Sequence, residues 1–161
     1  MKTLQLQISE ENAMKHYPSA QPDMKAALED TFGKKFFSTK IIDRVQSFED
    51  ACREKGCDPL TVLPYRSPSN DFEKALNALA KIWIIIEVIN EDWKAELSNT
   101  SQSKYYPWFE QKTGFGLSCD VCGYWDTYTV CGVRLALATA DKAVYVGKQF
   151  IDIYQEFSIL K

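Results

Sequence analysis

The sequence predicts an α+β domain: a small antiparallel sheet, built from an N-terminal strand plus three C-terminal strands, covered by about four to five helices around one long central helix. Three observations predict it. Apolar residues recur at helical spacing from Ala75 to Ile89; they alternate with polar ones in the last third of the chain; and capping residues, glycine and proline cut the first half into short helical stretches.

At the N-terminus, Leu4, Leu6 and Ile8 alternate with Gln5 and Gln7, the pattern of a short strand with one wet face. Ser9 then offers a hydroxyl that can accept from a free backbone N–H, and Glu10 and Glu11 meet the positive end of a helix dipole. That helix stops near Tyr17, before Pro18. A second begins around Pro22, where a missing N–H costs nothing, and runs to about Phe32, with Gly33 free to make the exit. Ser47-Phe48-Glu49-Asp50 resembles a capping arrangement for a two-turn helix ending at Gly56. Residues 56–69, with Pro59, Pro64 and Pro68, read as a surface loop.

Asn70 and Glu73 are spaced for a capping box and open the long helix, 70–91. Its stripe is Ala75, Leu79, Ile82, Ile86 and Ile89; Leu76, Trp83, Ile84, Ile85 and Val88 make it apolar on most sides, so it is the core helix, with Trp83 a packing residue. A polar loop, 98–103, precedes three strand signals. The first is Lys104–Glu110; in the second, Phe115, Leu117, Cys119 and Val121 alternate with Gly114, Gly116, Ser118 and Asp120; the third is Tyr128–Thr139. Thr139 and Asp141 start a final helix whose face, Ala143, Gly147, Phe150, Tyr154 and Phe157, includes a glycine costing about 1 kcal/mol relative to alanine. Gly147 therefore implies close approach to the sheet or to another helix. The expected organisation is one domain, 1–161, with a helical N-terminal part (1–69), the core helix (70–91), antiparallel strands (104–138) and a C-terminal helix (139–158).

A chain of 161 residues, 45% hydrophobic and 25% charged, has globular composition. Nineteen Lys+Arg against 22 Asp+Glu leave a net charge of −3, which disfavours nucleic acid as a partner, because general phosphate binding rests on surplus cations. The first residues show no apolar stretch followed by a small-residue cleavage site, and the run Ile82–Ile86 lengthens only by including Lys81 and Glu87, short of the ~20 apolar residues of a bilayer span. The expectation is a protein without membrane segments in a bacterial cytoplasm, its five cysteines reduced.

Catalytic and metal signals are weak. Cys119, Cys122 and Cys131 could hold three corners of a thiolate zinc site, but only the sequence-distant Cys52, Cys57 and His16 could complete it, so neither a metal nor a cofactor is expected. His16 is the lone histidine, and the paired carboxylates (Glu10/Glu11, Glu29/Asp30, Glu49/Asp50, Glu91/Asp92) are neighbours at helix ends, where solvated acids belong. No catalytic residue is assigned. The informative cluster is Trp93, Tyr105, Tyr106, Trp108, Tyr124, Trp125 and Tyr128, with Pro107 and Phe109 interleaved. Rings with a polar tip suit a boundary between apolar surface and a partner, so the strand 105–109 and a turn 124–128 form a candidate recognition face for a protein or small ligand. The bland alternative is that Trp93, Tyr106 and Trp108 plug the seam between long helix and sheet. Arg134 is the candidate cation nearby in sequence.

Lys104-Tyr105-Tyr106-Pro107-Trp108-Phe109, Gly114-Phe115-Gly116, Gly132-Val133-Arg134-Leu135 and Gly147-Lys148-Gln149-Phe150-Ile151-Asp152-Ile153-Tyr154, with Thr31–Phe37 and Phe48–Cys52 in the first half, give a further lead. Through them the chain resembles an uncharacterised protein family associated with phages and integrated elements of gut bacteria of the Bacteroides group. The resemblance covers most of the chain and implies a phage or mobile-element setting without an activity. The expected function is a non-enzymatic accessory protein that binds through its aromatic face, modulating a host or defence protein or serving in particle assembly. Two rivals belong to other classes: a small enzyme acting on nucleotides or nucleic acid, which needs Arg134 gathered with carboxylates, and a single-stranded nucleic-acid binder stacking bases on Tyr105, Trp108 and Tyr128, which needs a cationic groove.

Overall fold

A computed structural model describes residues 7–112, 116–126 and 132–158. The fold is α+β, with seven α-helices and a two-stranded antiparallel sheet among these residues. The chain divides into two compact units at Arg44/Val45.

In the first unit, Ser9 caps α1 (Glu10–His16) by accepting from the Asn12 N–H, and a 3₁₀ turn over Tyr17–Ser19 absorbs Pro18. Helix α2 (Pro22–Phe32) ends at Gly33, whose φ of 84° frees the chain to turn into a second 3₁₀ segment, Lys34–Phe37, before the single turn of α3 (Ile41–Arg44). This bend stacks Tyr17 on Phe37 (centroids 4.0 Å apart) and sets Phe36 edge-on to Phe37 at 4.9 Å. The Tyr17 hydroxyl donates to the Glu29 carboxylate; that bond, followed by burial and the Glu29 charge, raises the phenol above its ordinary pKa. Residues 1–6 of the expected N-terminal strand lie outside the described residues; Gln7 and Ile8 belong to no strand, since Ser9 already caps a helix there.

In the second unit, α4 (Phe48–Lys55) opens on a complete capping box: the Asp50 N–H donates to Ser47 Oγ and the Ser47 N–H to Asp50 Oδ2, each at 3.0 Å. Helix α5 (Asp71–Asn90) is capped by Asn70, which accepts from the Glu73 N–H. The return arm differs from the expected box, because the Glu73 carboxylate reaches past Asn70 to the Ser69 N–H and hydroxyl. Ile82, Ile84, Ile85, Ile86 and Ile89 are buried, which makes α5 the core helix as its stripe foretold, whereas Trp83 is substantially exposed. Two asparagines stand among these isoleucines and alanines. Asn77 accepts from the Tyr65 N–H (3.0 Å) and donates to its carbonyl (2.8 Å), tying the proline-rich loop down, and Asn90 does the same for residues 136–138. Each behaves as a stretch of strand edge in side-chain form and leaves no buried polar atom unpaired.

The sheet is a hairpin, β1 (Lys104–Lys112) with β2 (Gly116–Trp125). The third expected strand is not formed where the chain is described. Residues 128–131 lie outside the described residues; after Gly132 (φ 85°) comes a 3₁₀ turn, Val133–Leu135, and Leu137 alone bridges Tyr105. The neighbours Ala136 and Leu137 are both buried, so the alternation read there does not hold, and Asn90 satisfies backbone groups that a neighbouring strand would have taken. The C-terminal helix is two helices, α6 (Ala140–Gln149) and α7 (Ile151–Ser158), joined at the buried Phe150. Tyr145 and Gln149 bind α6 to the entry of α4, through Tyr145 Oη to Val45 O (2.6 Å) and Gln149 Nε2 to Gln46 O (2.8 Å). No helix among the described residues is long and apolar enough to cross a membrane.

Candidate functional site

The hairpin holds five of the seven rings of the candidate cluster, Tyr105, Tyr106, Trp108, Tyr124 and Trp125, and its register decides which faces they occupy. Tyr105 exchanges both backbone hydrogen bonds with Leu137 (3.0 and 2.8 Å), so its N–H and C=O point away from β2. By alternation, Pro107 shares that orientation, and its missing N–H removes no bond from the β1–β2 ladder. This is how a proline is tolerated in a strand paired on both sides.

Directly opposed residues share a face. Trp108 lies opposite Val121, Tyr106 opposite Gly123 and Lys104 opposite Trp125, which puts these six on one face; Tyr105 with Tyr124 and Pro107 with Cys122 occupy the other. The rings are therefore divided, not assembled into a single platform. On the first face Trp108 is 54% exposed, Val121 53% and Trp125 43%, while Tyr106 is buried. The Trp108 ring lies across Gly123, where an added Cβ would stand 3.5 Å from Cε3, so the glycine seats the indole against the ribbon. On the second face Tyr124, 62% exposed, leans on Tyr105 with centroids 5.9 Å apart.

That second face is where α6 docks. At Gly147 an added Cβ would lie 2.3 Å from Cys119 Sγ and 2.8 Å from Pro107 Cβ, and Phe109 meets Tyr154 of α7 at 4.6 Å. The close approach expected of Gly147 is thus to the sheet. A register shift between Trp108 and Glu110 places the extra residue on β2, a bulge that turns Cys119 into the helix contact and leaves Asp120 to pair with Lys148 at 3.2 Å.

The open end of the hairpin is fixed by a buried cation that the sequence reading passed over. Lys104 is fully buried, and its ammonium donates to the carbonyls of Asn99 (2.8 Å), Gln102 (2.6 Å) and Asp126 (2.7 Å), using all three of its protons. The loop before β1 and the residue after β2 are thereby tied to one nitrogen. Ser103 Oγ adds a bond to Asp126 Oδ1. From the other edge, Asn90 holds residues 136–138 so that Leu137 can bridge Tyr105. Just beyond it the Trp93 N–H donates to Asn90 O, closing a turn in which Glu91 takes φ 57° and ψ −123°, the first central position of a type II′ turn that glycine normally fills. Trp93 itself is half-buried in this turn.

The other sequence candidates fall elsewhere. Arg134 stacks its guanidinium on the Trp83 ring, 4.8 Å from the centroid, making a separate exposed cation–π pair. Tyr128 and Cys131 lie outside the described residues. Cys122 is within β2 and not in a turn; burial raises its thiol pKa, as it does that of Cys119. Among the described residues no group of three His, Cys, Asp or Glu side chains is placed to hold a metal ion. His16 is exposed in the last turn of α1. The carboxyls held below their ordinary range are caps. For Asp50, burial pushes upward, but hydrogen bonds from the Gln46 N–H and Ser47, with the Arg53 guanidinium, outweigh it; Glu73 is lowered chiefly by its bonds from Ser69.

No family model, curated protein or solved structure matches the chain.

Proposed function

We propose that the chain is a non-enzymatic binding protein that docks a polypeptide partner on the Trp108–Val121–Trp125 face of its hairpin. The observation that carries this reading is the exposure of two indoles and a valine on one face of a ribbon whose opposite face is packed under α6 at Pro107 and Cys119. Tryptophan is among the side chains enriched at the energetic centres of protein interfaces, and an indole already seated on a glycine loses little rotamer freedom on binding. Glu110 and Asp126 are exposed on or beside this face, and the anionic setting favours a partner that offers basic side chains around an apolar strip over one that offers phosphates. The resemblance to phage and mobile-element proteins suggests where such a partner belongs: a host or defence protein, or a particle component.

The test is affinity capture from a bacterial host lysate with three forms of the chain. Wild type and Tyr124→Ser are expected to retain the same partner, and Trp108→Ser/Trp125→Ser to lose it while keeping a cooperative unfolding transition. A partner kept by the double variant and lost by Tyr124→Ser refutes this choice of face.

A further inference from the structure

The C-terminal cap of α4 brings two thiols together. Gly56 takes φ 71° and ψ 36°, and in this left-handed conformation its N–H bonds the Arg53 carbonyl (3.1 Å) while the Cys57 N–H reaches back to the Cys52 carbonyl (2.9 Å). The pair of bonds is a Schellman closure, a motif in which the side chain beyond the glycine comes to rest on the one three positions inside the helix end. Apolar residues usually make that contact. Here both are cysteines, and Cys57 lies close enough for its charge to help hold the Cys52 thiol up. Cys52 is fully buried and Cys57 half-buried, so one sulfur of the pair is shielded and the other can be reached. Both are free thiols.

We propose that Cys52 and Cys57 form a redox pair, closing to an intrachain disulfide by exchange with a small-molecule disulfide and so locking the last turn of α4. The Cys57 thiolate attacks one sulfur of the small disulfide, forming a mixed disulfide and expelling one small thiolate. Cys52 then gives up its proton to solvent, attacks the Cys57 sulfur and expels the second small thiolate. The protein loses two hydrogens and two electrons, and the small disulfide becomes two thiols. Division of labour follows from access, since Cys52 is buried and Cys57 only half-buried. Burial, reinforced by Cys57 and by the charges of Glu49 and Asp58, pushes the Cys52 thiol up to about 12. The buried sulfur is thus the resolving partner, and its step quickens as rising pH makes thiolate available.

The experiment holds the full chain in glutathione buffers of graded disulfide content, quenches with acid and an alkylating reagent, and maps tryptic peptides without reduction. Trypsin cuts after Arg53 and Lys55, so a closed bridge keeps together two peptides that reduction separates. The expected result is that this linked species appears in proportion to the oxidant and forms faster from pH 7 to pH 9. Cys52→Ala should stop at a glutathione adduct on Cys57, and Cys57→Ser should leave Cys52 as a thiol. Wild-type chain that accumulates the adduct at Cys57 without closing, that stays fully reduced, or that links Cys52 or Cys57 to any other cysteine overturns the proposal, and none of these readings depends on how well the variants fold.

Discussion

Gly147→Ala sets two effects of opposite sign against each other. Glycine inside a helix is less favourable than alanine by about 1 kcal/mol, so on helix propensity alone the substitution stabilises α6. Against this stands the contact with the hairpin, because the added methyl would lie 2.3 Å from Cys119 Sγ, 2.8 Å from Pro107 Cβ and 3.2 Å from Cys119 Cβ. Carbon–carbon contacts are comfortable at about 3.5–4.0 Å, so the helix must back away from β1 by an ångström or distort Cys119. The proline ring carbon belongs to a rigid strand residue and cannot rotate aside. Overpacking of this kind costs about 1–3 kcal/mol, and the upper part of that range applies when two contacts fall below 3 Å. The balance is a net loss of about 1–2 kcal/mol, which for a chain of this length lowers Tm by about 2–8 °C. Thermal unfolding followed by circular dichroism measures it, and a double-mutant cycle with Cys119→Ala locates it. Removing the sulfur should recover part of the loss, with a coupling above about 0.5 kcal/mol, but not all of it while the Pro107 contact remains. A variant at least as stable as wild type would refute the docking of α6 on the sheet.

Other substitutions probe the anchors of the hairpin and the caps. Lys104→Met strips the carbonyls of Asn99, Gln102 and Asp126 of their shared donor; a hydrogen bond to a charged group contributes about 1.5–3 kcal/mol, so even after regained hydration the variant should lose about 2 kcal/mol or more in a urea titration, with faster hydrogen exchange at residues 102–106. Glu91→Gly relieves a positive φ that costs an L-residue about 1–3 kcal/mol and gives up only a surface ion pair with Lys142, so it should be neutral or stabilising by up to about 1 kcal/mol in the same titration. Asp50 has its folded pKa below its unfolded one, so its contribution is present above the unfolded value of ~3.9 and is lost as pH falls through the folded value. Asp50→Asn should cost about 0.5–2 kcal/mol at neutral pH and flatten that segment of the stability–pH curve, as denaturant midpoints at pH 2–7 will report.

The helices were legible because their signals are local. Ser9, Ser47, Asn70 and Thr139 each cap the helix that their hydroxyl or amide announces, and Gly33 and Gly56 take the positive φ that ends α2 and α4. The isoleucine run was read as a core helix for the same reason. What failed was non-local. The alternation around Val133–Leu137 suggested a strand, yet a strand needs a partner along its length, and here one asparagine 46 positions away satisfies Ala136 while only Leu137 meets β1. Lys104 was read only as the first residue of a strand, because nothing in its neighbours reveals that three carbonyls converge on it. Asn77 and Asn90 were hidden by the apolar pattern around them, though an amide inside such a run is itself a sign of a buried backbone contact. The aromatic cluster was found by composition, but its division between two faces depends on register, which Trp108, Tyr124 and Trp125 could not disclose without the bulge at Cys119 and Asp120.

Hydroxyl-radical footprinting of the four tryptophans, before and after saturation with the captured partner, examines the docking surface residue by residue. Oxidation of Trp108 and Trp125 is expected to slow several-fold in the complex, with Trp83 beneath Arg134 unchanged. Protection of Trp83 with Trp108 and Trp125 as reactive as in the free chain would place the interface on α5 and contradict the assignment of the hairpin as the recognition element.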